Sequence, residues 1–190
     1  MPWDLHPQHS AFEPSREEHA SVVKGVKVDI ISEESLQSKL PLFTLQISEA
    51  YVLDVTSNGS VSVLACSIIG INHALSTLTQ LFFKHSSHGV YTNLAPVHIA
   101  DAPRFAHRGL NLDVSRSFYG VEHIERILDA MAYNKMNRLH LHITDSQAWP
   151  LEVPTMPDLA KKGAYRPQMI YSAKDLKQIQ PYGALLGIEV

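Results

Sequence analysis

The hydrophobic pattern of this 190-residue chain changes its period near residue 100, and that change limits the folds open to it. Before it, apolar and polar residues alternate, as over residues 26–30, which is typical of a strand with one buried face. After it, short strand-like runs are separated by longer runs with apolar residues at every third or fourth position. The second pattern indicates parallel strands joined by helices.

Residues 21–100 are predicted to form a small α+β domain with an antiparallel sheet and one helix. Two alternating runs flank the pair Asn58-Gly59, which is typical of a tight β-hairpin whose two turn residues both take positive φ. A run with helical spacing follows the hairpin. In chain order, the predicted strands and helix cover 26–30, 51–55, 61–65, 71–82 and 97–99.

Residues 101–190 are predicted to follow the order β-α-β-α-β after a linker at residues 100–105. Pro181 lies inside the second helical run and is expected to kink that helix or to end it early. A (β/α)8 barrel takes about 250 residues, so the segment fits either the start of a barrel or an open doubly wound sheet. Because the chain ends within its third predicted strand, we expect it to be the front part of a longer domain. The predicted strands are 109–114, 138–143 and 187–190, with a long loop at 144–171.

Composition argues against several classes of protein. The net charge is −3 and the 16 lysine and arginine residues are scattered, so no nucleic-acid partner is expected. No apolar run reaches the length of about 18 to 20 residues that a membrane helix needs, so no membrane partner is expected. Residues 1–20 are polar, are predicted to form a flexible tail, and lack the apolar core of a signal peptide. The single cysteine, Cys66, cannot form an internal disulfide.

The stretch LHLHITDSQAWP, residues 139–150, has the residue types of a functional site. His140 and His142 share one face of the predicted strand, and Asp145 follows at its carboxyl end, where α/β folds bind substrates. Three interpretations stay open: the histidines are packed core residues, they are metal ligands, or they line a pocket for an organic ligand that Asp145 contacts. A metal site would need further ligands from other strands, and none occurs at a comparable position.

Three other residues carry functional hypotheses. Arg108 begins a predicted strand, where its guanidinium needs acceptors, either a carboxylate such as Asp113 or Asp145 or the hydroxyls of a ligand. Trp149 lies in the loop at the functional end and either stacks on a sugar or anchors the loop. The motif Asn58-Gly59-Ser60 fits an N-glycosylation acceptor, which would require export.

Several linked motifs resemble glycoside hydrolase family 20, the β-N-acetylhexosaminidases, and in particular its secreted, fungal-type members. They are DAPRFAHRGLNLDVSRSF, LDAMAYNKMNRLHLHITDSQAWPLEVPTMPDLAKKGAY and DLKQIQPYGALLGIEV, all within residues 101–190. The segment ACSIIGINHALSTLTQLF is similar to the small α+β domain of that family. The resemblance implies such a domain at 21–100, followed by the first three β/α units of a truncated (β/α)8 TIM barrel at 101–190.

The resemblance also implies an activity. The family removes terminal β-linked N-acetylglucosamine or N-acetylgalactosamine from the non-reducing end of chitin oligomers and glycans. The acetamide oxygen of the sugar attacks the anomeric carbon, an aspartate orients the acetamide, and the neighbouring glutamate protonates the leaving oxygen, an exception to the usual scheme of two enzymic carboxylates. No cofactor or metal is implied. The family further implies a secreted or lysosomal/vacuolar location and a homodimer for full-length members.

Two residues match functional positions of the family. Arg108 matches an arginine that hydrogen-bonds hydroxyls of the terminal sugar. Asp145 matches an aspartate that supports a histidine in contact with the catalytic glutamate, a role that tunes the acid. Many members have a second acid after that aspartate, where this chain has Ser146. The catalytic Asp-Glu pair and the supporting histidine would lie beyond Val190, so residues 1–190 alone are expected to be inactive.

Two other hypotheses stand beside this one. In the first, the chain is a non-catalytic carbohydrate-binding or interaction remnant that keeps Arg108 and Asp145 without the chemistry. In the second, it is a metal-dependent barrel hydrolase that uses His140 and His142.

Overall fold

A computed structural model describes residues 21–40, 47–86 and 89–190. The chain divides into two compact units, Met1–Ala106 and His107–Val190. Within the described ranges, no helix combines the length and the apolar character needed to cross a membrane. The tail predicted at residues 1–20 lies outside the described residues.

The first unit contains a four-stranded sheet in the order β1-β3-β2-β6 and a separate pair, β4-β5. Helix α2 begins where the side chain of Ser67 accepts a hydrogen bond from the backbone N–H of Gly70, at 3.0 Å. The elements are β1 (Val26–Ile30), α1 (Glu33–Gln37), a 3-10 turn (Ile47–Glu49), β2 (Tyr51–Val55), β3 (Val61–Ala65), α2 (Ile68–Gln80), β4 (Phe83–Lys84), β5 (Val90–Tyr91) and β6 (Val97–Asp101).

The four-stranded sheet is mixed, so the prediction of an antiparallel sheet is wrong for one of its pairings. β2 is antiparallel to both β3 and β6, whereas β1 is parallel to β3. Since β3 and β6 occupy the two edges of β2, β1 joins the sheet at the outer edge of β3. The sheet also includes Ala100 and Asp101, the first two residues of the predicted linker.

Apolar side chains cover both faces of this sheet. Alternate residues of β2 point to opposite faces, so Leu53 packs with α2 on one face and Val52 packs with Leu36 of α1 on the other. The buried cluster on the α2 face comprises Tyr51, Leu53, Val55, Val61, Val63, Ala65, Ala74 and Leu78. The smaller cluster on the α1 face comprises Leu36, Leu40, Ala50 and Val52.

The predicted hairpin joins β2 to β3, but its turn is longer than the Asn-Gly pair alone implies. Thr56 and Ser60 extend the ladder, because the N–H of Thr56 donates to the carbonyl of Ser60 at 2.9 Å. Among the turn residues only Gly59 has positive φ, at 82°, and its N–H donates to the carbonyl of Thr56 at 3.1 Å. A three-residue turn that ends in a left-handed glycine explains this geometry.

The second unit has the predicted order of strands and helices. β7 and β8 are parallel, in the register Gly109↔Arg138 to Asp113↔His142. A parallel bridge between Arg138 and Glu189 marks the third strand-like segment beside β8. The elements are β7 (Gly109–Asp113), α3 (Val121–Tyr133), β8 (Arg138–His142), α4 (Asp158–Gly163) and α5 (Ala173–Leu185).

The helices cover one face of β7 and β8. Leu139 is buried in a cluster with Ile124 and Leu128 of α3 and Ile179 of α5. Side chains at the alternate positions point to the opposite face. That face is polar and carries Asn111, Asp113, His140 and His142.

Two local predictions differ from the structure of this unit. The segment predicted as an irregular loop contains α4 and a parallel bridge between Leu151 and Tyr171. Helix α5 continues past Pro181 to Leu185, so the alternative that the proline ends it early is wrong, whereas a kink at Pro181 stays a prediction. Ile179 and Gly183 are buried on either side of the proline, and this packing holds the helix together. Helix α5 is capped by Ser172, which forms a reciprocal capping box with Asp175.

Helices α3 and α5 both end in a left-handed residue. Lys135 has a φ of 56° and Gly187 a φ of 76°. The N–H of Met136 donates to the carbonyl of Met131 at 2.9 Å, and the N–H of Ile188 donates to that of Gly183 at 2.8 Å. These bonds satisfy carbonyls that a helix end would otherwise leave open.

Candidate functional site

A cluster of charged side chains lies where β7 and β8 end. Asp113 is the last residue of β7, Arg116 follows it by three positions, and Asp145 follows the end of β8 by three. His142 is the last residue of β8. Because the strands are parallel and in register, their carboxyl ends meet at one edge of the sheet.

Four donors surround the carboxylate of Asp145. Its Oδ2 accepts hydrogen bonds from Nη2 of Arg116 at 2.6 Å and from Nε2 of His142 at 2.9 Å. Its Oδ1 accepts from the backbone N–H of Ser146 at 2.6 Å and from the Ser146 hydroxyl at 3.1 Å. The Ser146 N–H is the largest cause, followed by His142, of a pKa lowered to about 2 for Asp145, which is therefore ionised at neutral pH.

Arg116 joins the two strand ends through their carboxylates. Its Nη1 donates to Oδ2 of Asp113 at 2.5 Å, while its Nη2 holds Asp145. The other oxygen of Asp113 accepts the backbone N–H of Ser115 at 3.1 Å and that of Arg116 at 3.0 Å. The backbone N–H and then the side chain of Arg116 lower the pKa of Asp113. The hydrogen bond to Asp113 raises the pKa of Arg116.

The backbone around this cluster is fixed by its own hydrogen bonds. The carbonyl of His142 accepts the N–H groups of Val114 and Ser115, both at 3.1 Å. The Ser115 side chain is buried, and its hydroxyl donates to the carbonyl of Ala148 at 2.9 Å. That same carbonyl accepts the N–H of Asp145 at 3.0 Å. The segment after β7 is therefore bonded both to the end of β8 and to the loop that carries Asp145.

The histidine pair is not packed in a core within the described chain. His140 is exposed, and the side chain of His142 is 32% exposed. The two rings are 6.2 Å apart, and among the described residues no group of three or more His, Cys, Asp or Glu side chains is arranged to hold a metal ion. Since a carboxylate only accepts, the contact to Asp145 places a proton on Nε2 of His142.

Trp149 lines an open groove beside the cluster. The groove has a volume of about 750 Å³ and lies between the segments 145–149 and 156–163. The backbone N–H of Trp149 donates to the carbonyl of Gly163 at 2.9 Å, and this bond fixes the loop to the end of α4. The indole Nε1 is buried and has no hydrogen-bond partner within the described residues. A loop-anchoring contact is thus present, and a sugar contact of Trp149 stays a prediction.

Arg108 lies at the amino end of β7, at the opposite end of the strand from Asp113. It precedes β7, and its Nε donates to the carbonyl of Lys135 at 2.6 Å, near the start of β8. A five-residue strand separates it from the carboxyl ends by about 17 Å. The described structure therefore does not bring Arg108 together with Asp145, and its proposed contact with sugar hydroxyls stays a prediction.

Two family models match the chain, and they agree on its identity. The model of the glycosyl hydrolase family 20 catalytic domain matches residues 105–190, and a model described as "beta-acetyl hexosaminidase like" matches residues 1–81. The chain belongs to glycosyl hydrolase family 20.

Relatives of this family 20 chain come from fungi, insects and bacteria. A β-hexosaminidase of Arthroderma benhamiae is 40% identical over 190 residues, which is 100% of this chain and 31% of the relative. A chitooligosaccharidolytic β-N-acetylglucosaminidase of Bombyx mori is 36% identical over 88% of this chain and 28% of its own length. A solved family 20 β-N-acetylhexosaminidase of Streptomyces coelicolor is similar with a TM-score of 0.72 and 32% identity, covering 87% of this chain and 33% of that structure. The chain thus spans about a third of the length of these proteins.

Sequence reasoning on this family 20 chain missed Arg116 and Asp113 as parts of the cluster. Their signal was present in the sequence, because an aspartate at a strand end with an arginine three residues later can close a local ion pair. Asp113 was predicted instead as a possible carboxylate partner of Arg108. Ser146, at the position where many family members have a second acid, donates two hydrogen bonds to Asp145.

Asn58 belongs to the first unit, in its exposed hairpin turn. Its side-chain oxygen accepts hydrogen bonds from the Thr56 hydroxyl at 2.5 Å and from the Ser60 N–H at 3.0 Å. Within the described residues its amide nitrogen, the atom that would carry a glycan, makes no hydrogen bond. Glycosylation of Asn58 stays a prediction.

Proposed function

We propose that this chain is part of a β-N-acetylhexosaminidase that hydrolyses terminal, non-reducing β-linked N-acetylglucosamine or N-acetylgalactosamine. The observation that carries the proposal is the ionised Asp145, held by four hydrogen bonds at the carboxyl ends of two parallel strands in a segment that matches the family 20 catalytic domain. This edge of an α/β sheet is where substrates bind. The mechanism is substrate-assisted and retains the anomeric configuration.

We also propose a barrel fold for the second unit, which goes further than its similarity to a solved family 20 structure. We assign β7, β8 and the segment at Glu189 to the first three strands of a (β/α)8 barrel. The parallel register and the helices on one face of the strands support this assignment. The polar face with His142 and Asp113 then points into the barrel.

Two residues have proposed roles in this reaction. Asp145 supports the catalytic acid through the imidazole of the family's supporting histidine, which would lie beyond Val190. A carboxylate that stays ionised is suited to hold that imidazole in one orientation. The resemblance assigns Arg108 to hydroxyls of the terminal sugar, but its position before β7 and its bond to the carbonyl of Lys135 do not support that role. The resemblance implies that the catalytic Asp-Glu pair would lie beyond Val190.

The substrate class follows from the relatives. The Bombyx mori relative is named chitooligosaccharidolytic, and the fungal relative is named a β-hexosaminidase. We therefore propose chitin oligomers and N-acetylhexosamine-terminated glycans as substrates, a secreted or lysosomal/vacuolar location, and a homodimer of the complete enzyme. The reaction as proposed uses no cofactor.

The test is an assay of the uninterrupted reading frame that contains residues 1–190. We expect this polypeptide to release p-nitrophenol from p-nitrophenyl N-acetyl-β-glucosaminide. The variant Asp145→Asn is expected to lower kcat by about 100-fold, within the range that a positioned acid or base contributes. Asp29→Asn is the matched control, because that carboxylate lies on β1 of the first unit and, among the described residues, pairs with Lys27 at 2.9 Å.

Each outcome of the assay separates the hypotheses. Absence of hydrolysis by the complete reading frame would overturn the proposal. Binding of N-acetylglucosamine without hydrolysis would favour the non-catalytic carbohydrate-binding remnant. Loss of activity on removal of zinc, with zinc lost also from His142→Ala, would favour the metal-dependent hydrolase.

A further inference from the structure

We propose that Arg116 is a positioning residue that decides which carboxylate holds His142. Arg116 bridges the two carboxylates. Its bond to Asp113 engages that carboxylate, and its bond to Asp145 keeps Asp145 turned toward the imidazole of His142. The consequence for catalysis rests on the proposed function, whereas the arrangement itself can be measured without any enzymatic activity.

The position of Arg116 is prepared by its neighbours. Its backbone N–H is bonded to Asp113 at 3.0 Å, and the preceding residue, Ser115, is buried and bonded to the carbonyls of His142 and Ala148. The guanidinium therefore starts from a fixed backbone. The side-chain torsions are fixed when the two Nη atoms reach the two carboxylates, and the planar fork is already shaped for that contact.

Asp145 depends on Arg116 for its connection to β7. Its contacts with Ser146 are local, because the donors belong to the next residue in the chain. His142 is the other donor, and it lies on β8. Among the described residues, Arg116 thus joins the carboxylate of Asp145 to the segment that follows β7.

Asp113 is the competitor for the imidazole. It and Asp145 are both carboxylates at adjacent strand ends, and His142 acts electrostatically on Asp113 as well as on Asp145. Asp113 gives one oxygen to the two backbone N–H groups and the other to Nη1 of Arg116. Without Arg116, that second oxygen loses the cation that neutralises it and attracts the imidazole N–H. Asp145 would then share His142 with Asp113.

The planar guanidinium is required for this role. It presents two separate N–H-bearing atoms at 2.5 Å and 2.6 Å from the two carboxylates. A lysine ammonium is a point charge on a flexible stem and does not reproduce that fork. The variant Arg116→Lys keeps the charge but not the fork, so it is expected to restore the contact between Asp145 and His142 only in part.

The experiment follows the imidazole of His142 in the full 190-residue chain by 15N-histidine NMR. In the unmodified chain we expect one tautomer, with the proton on Nε2 and slow exchange of that proton. Arg116→Ala is expected to speed its exchange at least tenfold and to change the imidazole 15N shifts. Arg116→Lys should recover part of this loss, and the double change Asp113→Asn with Arg116→Ala should recover most of it, because the competing carboxylate is gone.

The controls separate a local effect from unfolding. Arg126→Ala removes an exposed arginine of α3 and is expected to leave the His142 signal unchanged. If Arg116→Ala lowers the thermal midpoint so far that it unfolds, the lysine and double variants carry the test. An unchanged His142 signal in a folded Arg116 variant would overturn the inference, as would failure of Asp113→Asn to restore it. A lack of glycosidase activity would count against the proposed function and leave these spectra unaffected.

Discussion

At the scale of single residues, the chain satisfies each charge of the candidate site with a neighbour. Asp145 has four donors, and Arg116 has two carboxylates. A carboxylate that accepts this many hydrogen bonds is held in its ionised form over the whole neutral range. Its orientation, rather than its protonation state, is the property that a substitution nearby would change.

Tyr171 offers a residue-scale prediction with a pH signature. It is 1% exposed, its hydroxyl donates to the carbonyl of Tyr119 at 2.5 Å, and its ring stacks on Phe118 with centroids 4.7 Å apart. Burial raises its pKa to about 12. We expect Tyr171→Phe to lower the free energy of unfolding by about 1 kcal/mol at neutral pH, because a buried hydrogen bond is lost.

The pH dependence of that difference has a definite sign. The folded pKa of Tyr171 is raised above its ordinary value of 10.0, so the stability it contributes is present below pH 10 and is lost as the pH rises toward about 12. Chemical denaturation from pH 8 to pH 12 should show the gap between the unmodified chain and Tyr171→Phe closing. Tyr165→Phe, at a position 56% exposed, is the control, and an equal effect there would contradict the prediction.

At the scale of elements, the helix ends differ in strain. Lys135 and Gly187 occupy the same left-handed position after α3 and α5, but only glycine does so without steric cost. Lys135→Gly is expected to raise the free energy of unfolding by about 0.5 to 1 kcal/mol, since it removes a cost of about 1–2 kcal/mol at some expense in chain entropy. Gly187→Ala is expected to lower it by about 1–2 kcal/mol.

Urea denaturation of the two variants checks this pair. Opposite signs are the expected result. Equal signs would show that side-chain contacts of Lys135, rather than its backbone conformation, dominate the stability of that helix end.

The elements also show where sequence patterns suffice. Strand alternation and helical spacing predicted the hairpin and the β-α-β-α order, because these patterns depend on burial within one element. The patterns did not predict the parallel pairing of β1 with β3. That pairing depends on which strand edges remain free once β2 has paired with β3 and β6. The alternative that Pro181 ends α5 early was also wrong, because packing of the residues on both sides of the proline outweighs one missing hydrogen bond.

The candidate site was predicted in part for the same reason. Asp145 follows from the strand pattern, and its resemblance to a family position identified it from the sequence. The bridge by Arg116 depends on a pairing across two strands, so its partner Asp145 is not fixed by the spacing of residues along the chain. Arg108 illustrates the converse, because its guanidinium contacts a backbone carbonyl that no pattern of charges indicates.

At the scale of the whole molecule, the described residues form separate hydrophobic clusters in the two units. Leu53 belongs to a cluster of the first unit and Leu128 to the cluster of the second, and both are fully buried. We expect Leu53→Ala and Leu128→Ala each to cost about 2–5 kcal/mol in the unit that contains it. Thermal unfolding followed by calorimetry should show two transitions, each lowered by one of the two changes. A single transition shifted equally by both would show that the units unfold together.

The charged cluster at the ends of β7 and β8 has a consequence for the order of events during synthesis. All of its members, and the carbonyl of Ala148 that anchors it, lie within one β-α-β segment between Asp113 and Ala148. The cross-strand contacts join residues 29 positions apart for Arg116 and Asp145 and 33 apart for Ser115 and Ala148, and domains fold from the amino terminus as the chain is made. A nascent chain that has left the ribosome as far as Ala148 therefore already carries every group the cluster needs.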